Sequence, residues 1–321
     1  MIKETEFKPA WWLPNAHLQT LWPTLCRRPI KKLLLKRERF ELPDGDFIDL
    51  DWADNNAGSP IVLVLHGLEG SIDSPYAKGI LRTIQEHGWR GVFMHFRSCS
   101  GEPNRLPRLY HSGETTDVVA VMQELLRREP RTQFAAIGYS LGGNVLLKWL
   151  GETAENNPLT AAIAVCVPYE IQKTCKRIGR GFSRIYQWHM LKSLRRKLRK
   201  KLEIQPNSMK VPPHLKFNSL WDFDEKITVP AHGFSNITDY YKQSSSRQYL
   251  KKICVPTLLM HAQDDPFMTD DIVPGTHELS EHITLEVTKK GGHVGFVTGS
   301  VPWRAQYWLE KRLPAFLRNF L

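Results

Sequence analysis

From residue 60 onward, short runs of aliphatic residues alternate with longer stretches of helical periodicity. Residues 61–65 (IVLVL), 91–95 (GVFMH), 134–139 (FAAIGY), 161–167 (AAIAVCV), 255–261 (VPTLLMH) and 283–288 (ITLEVT) show little polar alternation. Such runs suit strands covered on both faces of a parallel sheet. Between or after them, residues 75–87, 113–128, 144–151 and 302–320 read as helices. Alternating strands and helices predict a doubly wound α/β architecture, a mostly parallel sheet flanked by helices. Two short β runs, 37–42 and 47–52, come earlier and are divided by a Pro-Asp-Gly turn at 43–45. The first thirty residues, with PAWWLPNAHLQTLWP, follow neither period. They are expected to form an arm packed over the body by its tryptophans.

The alternation lapses between Pro168 and Ile253, where prolines 206, 212, 213 and 230 interrupt a basic, aromatic stretch. Because core strands stand on both sides of it, the expected division is a core of 31–167 and 254–321 with a cap or lid, 168–253, inserted. Charge sharpens this division. The chain carries +11 over 321 residues, yet residues 171–216 alone hold fourteen Lys and Arg against the single acid Glu203. That segment sums to +13 and leaves the remainder near neutral at −2. Within it, Ile185, Trp188, Leu191, Leu194, Leu198 and Leu202 are expected to share one helical face. Lys192, Arg195, Arg196, Arg199 and Lys200 are candidates to meet an anionic surface, in competition with a reading in which they are simply solvated. Nucleic acid ranks low as a partner, since no binding-fold signature or repeated stacking aromatics accompany the charge.

A hydrophobic content of 41% argues against disorder. No internal repeat suggests a solenoid, and no apolar run approaches the roughly 18 residues of a membrane span. Five scattered cysteines form neither a C-x-x-C pair nor a metal-spaced cluster, as expected of free thiols in a reducing compartment. The N-terminus lacks the apolar core of a signal peptide. The expectation is a cytoplasmic protein, in peripheral contact with the inner membrane face if the basic cap binds lipid.

The chemistry concentrates in three places. Gly138-Tyr139-Ser140-Leu141-Gly142 matches G-x-S-x-G between a strand and a helix, the setting of a nucleophile elbow, where Gly138 and Gly142 spare the strained turn a side-chain clash. A serine hydroxyl needs a base, itself held by an acid. LLMHAQDDPF places Asp264 and Asp265 at the C-terminal end of a core strand, and TKKGGHVGF puts His293 in a glycine-flanked loop after the last one. Asp265 is preferred as the acid for its Asp-Pro junction, with a helix N-cap as the competing role for either aspartate. Backbone N–H groups of Leu141 and of Leu68, in the loop His66-Gly67-Leu68-Glu69-Gly70, are expected to form an oxyanion hole. For His66 the alternative is a buried, hydrogen-bonded structural histidine.

HGLEG, HFRSCSGEPNR, GYSLGGN, HAQDDPF and GGHVGF occur in the order of the α/β-hydrolase superfamily. With WLPNAHLQT near the N-terminus, the chain over residues 10–315 resembles the YheT-like family of serine esterases. The resemblance implies an α/β-hydrolase fold and hydrolysis of lipid-like or small acyl esters by Ser140, Asp265 and His293. It implies neither a metal nor an organic cofactor, and no obligate protein partner. Ser98 departs from the superfamily, which has glycine there. Two other functions compete: acyl transfer on the same triad, and a membrane- or anion-binding protein on a hydrolase scaffold.

Overall fold

Nine strands form one sheet in the computed structural model, which describes residues 2–3, 5–30, 33–54, 56–206 and 216–321, the first two by backbone alone. In chain order they are β1 (Ile2–Lys3), β2 (Lys36–Glu41), β3 (Phe47–Ala53), β4 (Ile61–Leu65), β5 (Arg90–Met94), β6 (Phe134–Tyr139), β7 (Ala161–Val165), β8 (Thr257–Ala262) and β9 (Ile283–Thr288). Side by side they run β1-β9-β8-β7-β6-β4-β5-β3-β2. From β1 through to β5 every pairing is parallel, whereas β3 and β2 close the far edge antiparallel. A two-residue pair, β10 (Val297–Thr298) and β11 (Gln306–Tyr307), stands apart. Every residue of β4 to β8 is buried. Ile61, Leu63 and Leu65 feed one core while Val62 and Val64 feed the other, as a pleat with period two requires.

Helices α1 (Ala16–Cys26), α2 (Ala77–Glu86), α3 (Thr116–Arg128) and α4 (Leu141–Thr153) precede the basic segment. Between β7 and β8 lie α5 (Ile171–Ile178), α6 (Arg184–Ile204), α7 (Leu220–Phe223), α8 (Val229–His232) and α9 (Ile237–Ser244), and α10 (Trp308–Leu317) follows β9. The expected sheet-forming runs all appear, shifted by at most two residues at their ends. The helix expected from residue 144 starts at Leu141, directly after Ser140. The one expected over 302–320 shortens to α10, because Pro302–Arg304 form a separate turn and Gln306–Tyr307 pair with Val297–Thr298.

Two expectations need correction. The first thirty residues are not irregular throughout: α1 occupies eleven of them, capped by the Asn15 side chain, which accepts from the Leu18 N–H at 3.0 Å. Pro23 inside the helix and the neighbouring tryptophans hide its period from the sequence. Of those tryptophans, Trp12 packs edge-on to Trp22, while Trp11 stays exposed. The second correction concerns α6. Its six apolar positions do not share one face. Three successive spacings of three residues turn the helix through about 900°, so Ile185 and Leu194 face opposite ways. Leu191, Leu194 and Leu198 are buried with Tyr186 and Gln187, whereas Ile185 and Trp188 point outward. Nor is every basic residue of α6 solvated. Lys201 is buried, donating to the Asn104 side chain at 2.7 Å, its backbone carbonyl at 3.1 Å, and Leu106 O. Arg195 reaches Phe217 O, and Lys200 donates to Gly101 O at 3.0 Å. Prolines 212 and 213 lie outside the described residues.

The loop after β5 is tied down by a buried charge. Arg97 donates to both oxygens of Asp117 (2.6 and 2.8 Å), to Asp46 at 2.7 Å and to Asp44 at 2.8 Å. Ser98 follows with φ +63°, the left-handed conformation that glycine adopts without cost. Its hydroxyl compensates by donating to Asn104 Oδ1 at 2.7 Å and accepting the Asn104 N–H at 3.0 Å. Removing the guanidinium would strand buried carboxylates without a counter-charge. Arg97→Met is therefore expected to destabilise the protein by about 3–5 kcal/mol, read as a lower midpoint in urea unfolding.

Candidate active site

Ser140 stands between β6 and α4 with φ +52° and ψ −117°. A side chain at Gly138 would lie 2.5 Å from Gly142 O, and one at Gly142 would lie 2.5 Å from the carbonyl oxygens of Leu65 and His66. Both positions therefore accept only hydrogen, and the turn can close beneath the serine. The Ser140 N–H donates to Val165 O at 2.8 Å, which ties the elbow to the end of β7.

Two loops from the C-terminal ends of neighbouring strands converge on it. Asp265 follows β8 and His293 follows β9. His293 Nε2 is 3.0 Å from Ser140 Oγ, and Nδ1 is 2.7 Å from Asp265 Oδ2. The other Asp265 oxygen accepts the Phe267 N–H at 2.9 Å. Burial pushes the Asp265 carboxyl up, but the charge and hydrogen bond of His293, with help from His261, bring it below its ordinary value. The phenyl ring of Phe267 stacks on the imidazole with centroids 4.0 Å apart. Asp264 is turned elsewhere, its Oδ1 accepting the Gly292 N–H at 2.9 Å. Burial raises its pKa. The two aspartates thus divide the work: one touches the imidazole, the other its loop.

His66 is wholly buried, and burial lowers its pKa to about 3. The neutral ring accepts the Phe96 N–H at Nε2 (3.0 Å), which assigns the proton to Nδ1, donating to Gly67 O at 2.7 Å. The Gly67 N–H donates to the Tyr76 hydroxyl at 3.0 Å and that of Glu69 to the Tyr110 hydroxyl at 2.9 Å. Leu68 sits between these two anchors. Its N–H and that of Leu141 meet no acceptor among the described residues, and both residues line a cavity with Ser140.

A contributor that sequence reasoning did not assign is α1. Thr20 Oγ1 accepts the His293 N–H at 2.9 Å, and Gln19, buried, bonds both the N–H (2.8 Å) and the carbonyl (3.1 Å) of Val297. A Cβ at Gly292 would fall 2.5 Å from Ala16 O, so α1 and the histidine loop touch backbone to backbone. The motif WLPNAHLQT was the available signal, but nothing in it names the loop it serves.

Two cavities meet at Ser140. One lies under α5, α6 and α7 and is lined by Leu68, Leu109, Ile171, Ile178, Leu194 and Phe223. The other is a groove bordered by Leu21 and Leu25 of α1, Ile185 and Trp188 of α6, and His293. Of the five basic candidates, Lys192, Arg196, Arg199 and Lys200 are exposed and Arg195 is half-buried, all away from the serine–histidine contact. Two groups of metal-capable side chains occur among the described residues. Cys166, Asp265 and His293 are engaged in the relay or packed beside it. In His111, Glu114 and His232 the carboxylate is paired with Arg108, and His111 Nδ1 accepts the Gly113 N–H at 3.2 Å. His232 Nε2 is buried without a hydrogen-bond partner among the described residues.

Residues 60–300 match the family described as the alpha/beta hydrolase fold. YheT of Escherichia coli (strain K12), whose name proposes an esterase, is 42% identical over 98% of this chain and 94% of its own. Phospholipase ABHD3 of Mus musculus is 27% identical, covering 96% of this chain and 77% of that one. The solved Pyrococcus furiosus esterase Pf2001 superposes with a TM-score of 0.58 over 90% of this chain and 93% of its own, at 17% identity, a likeness of fold alone. With the sheet order, the elbow and these matches together, the chain belongs to the α/β-hydrolase family and, within it, to the group of YheT.

Proposed function

We propose that this protein is a serine carboxylesterase or lipase-like hydrolase that cleaves acyl esters through an acyl-enzyme intermediate. The observation that carries the reading is the continuous relay Ser140 Oγ–His293–Asp265, at 3.0 and 2.7 Å, on the floor shared by two cavities. Ser140 attacks the ester carbonyl while His293 Nε2 takes its proton. Asp265 holds the imidazole in the tautomer that leaves Nε2 free to accept, and stabilises the imidazolium that forms. The N–H groups of Leu68 and Leu141 receive the oxyanion, aided by the N-terminus of α4. Collapse expels the alcohol, protonated by His293, and water repeats the sequence to release the acid. The apolar cavity under the insert suits an acyl chain, with residues 168–253 acting as its cap. The names of the relatives, an esterase and a phospholipase, support ester or lipid substrates.

Three measurements test this reading. A fluorophosphonate is expected to label Ser140 stoichiometrically, and peptide mapping that finds the adduct elsewhere would remove the nucleophile from this site. Asp265→Asn should lower kcat by about 10⁴-fold on a p-nitrophenyl ester. Asp264→Asn should cost far less, because it loosens a loop and leaves the imidazole its partner; the reverse ranking assigns the acid role to Asp264. Thr20→Val, which removes the acceptor for the His293 N–H, should reduce kcat by roughly tenfold with KM little changed. Thr20→Ser should restore it.

A further inference from the structure

The groove leading to Ser140 opens between two helix faces that nothing in the fold covers. On α1, Leu18 and Leu25 are 41% and 74% exposed; on α6, Ile185 and Trp188 are 52% and 57% exposed. Single exposed apolar side chains are ordinary, but Leu25, Ile185 and Trp188 border one opening together, with Leu18 exposed nearer the start of α1. The same face of α6 continues as charge. At about 100° per residue, Ile185, Trp188, Lys192, Arg196 and Arg199 fall within a sector of roughly 80°. Lys192, Arg196 and Arg199 are exposed and make no ion pair among the described residues, and the Lys192 ammonium lies 5.2 Å from the Trp188 ring centroid. The one acid on α6, Glu203, sits at its far end, and α1 carries none. Nearer the groove, Glu69 is neutralised by Lys197 and Glu310 by Arg27.

We propose that this face, with Ile185, Trp188, Leu18 and Leu25 inserted and Lys192, Arg196 and Arg199 on the headgroups, docks the groove against an anionic phospholipid bilayer. The proposal deepens the hydrolase reading by giving its ester substrate a membrane source. It also narrows the set expected from sequence. Arg195 and Lys200 are held by the backbone carbonyls of Phe217 and Gly101, leaving Lys192, Arg196 and Arg199 as the cations that meet lipid. Apolar side chains next to cations on a helix surface are the combination that an interfacial helix needs, and charge alone would not orient the groove toward the acyl region.

The experiment uses full-length Ser140→Ala protein, so that docking is read without turnover and stands or falls apart from hydrolysis. Vesicles of phosphatidylglycerol and phosphatidylcholine, 1:1, are compared with pure phosphatidylcholine by co-sedimentation. The protein should bind the anionic vesicles, and more weakly as salt rises. Lys192→Gln/Arg196→Gln/Arg199→Gln should weaken binding on the order of a hundredfold. In the Ser140 background, the same three changes should leave hydrolysis of a short soluble ester unaltered. Ile185→Ser/Trp188→Ser should also weaken binding, and brominated lipid should quench the fluorescence difference between the parent and Trp188→Phe. Absent binding, equal binding to neutral vesicles, or binding indifferent to the three cations would overturn the proposal. So would an unquenched Trp188, which would leave only a charged surface. Equal affinity for a short DNA duplex, lost in the same variants, would reassign the face to nucleic acid.

Discussion

The arrangement of this molecule depends on one strained residue. With Ser140 at φ +52° and ψ −117°, the chain reverses from the centre of the sheet into α4 in a single step, lifting the hydroxyl clear of the strand that precedes it. A non-glycine residue pays for such a backbone only where its surroundings leave no alternative. Here the surroundings are Gly138 and Gly142, which admit backbone where any methyl would collide, and Val165 O, which accepts the serine's own N–H. Gly138 belongs to β6 itself, Gly142 to α4, where it abuts Leu65 O at the end of β4, and Val165 to β7. The turn therefore requires that the middle of the sheet be in register before it can exist.

Much of this was legible because the relevant physics is local. Buried parallel strands write themselves as unbroken aliphatic runs, and the elbow needs glycines at fixed offsets from the serine. An open α/β sheet gathers its polar loops at C-terminal strand ends, and Asp265 and His293 follow β8 and β9. The preference for Asp265 over Asp264 rested on the proline beside it; in the structure Asp265 contacts the imidazole and Asp264 holds Gly292.

What escaped the sequence was decided by contacts across the fold. Pro23 masks α1, whose existence is justified by what it packs against. The outward turn of Ile185 and Trp188 follows from helix geometry that a count of apolar positions overlooks. Lys201 reads as one more surface cation, yet its ammonium is satisfied by the carbonyls of a loop about a hundred residues away. Ser98 looked anomalous because the hydroxyl bonds that support its left-handed backbone depend on Asn104, which the primary structure does not mark as a partner.

The bond between Gln19 and Val297 joins residues 278 apart in the chain. Closing so long a loop is a late event in folding, since its entropy must be met before the contact returns anything. During synthesis, the segment that steadies the histidine emerges first and waits for the loop it will hold. Until residue 297 has been made, the loop that carries His293 lacks the partner that Gln19 will hold. The seat of the His293 loop is thus completed only when α1 and the segment around Val297 have met.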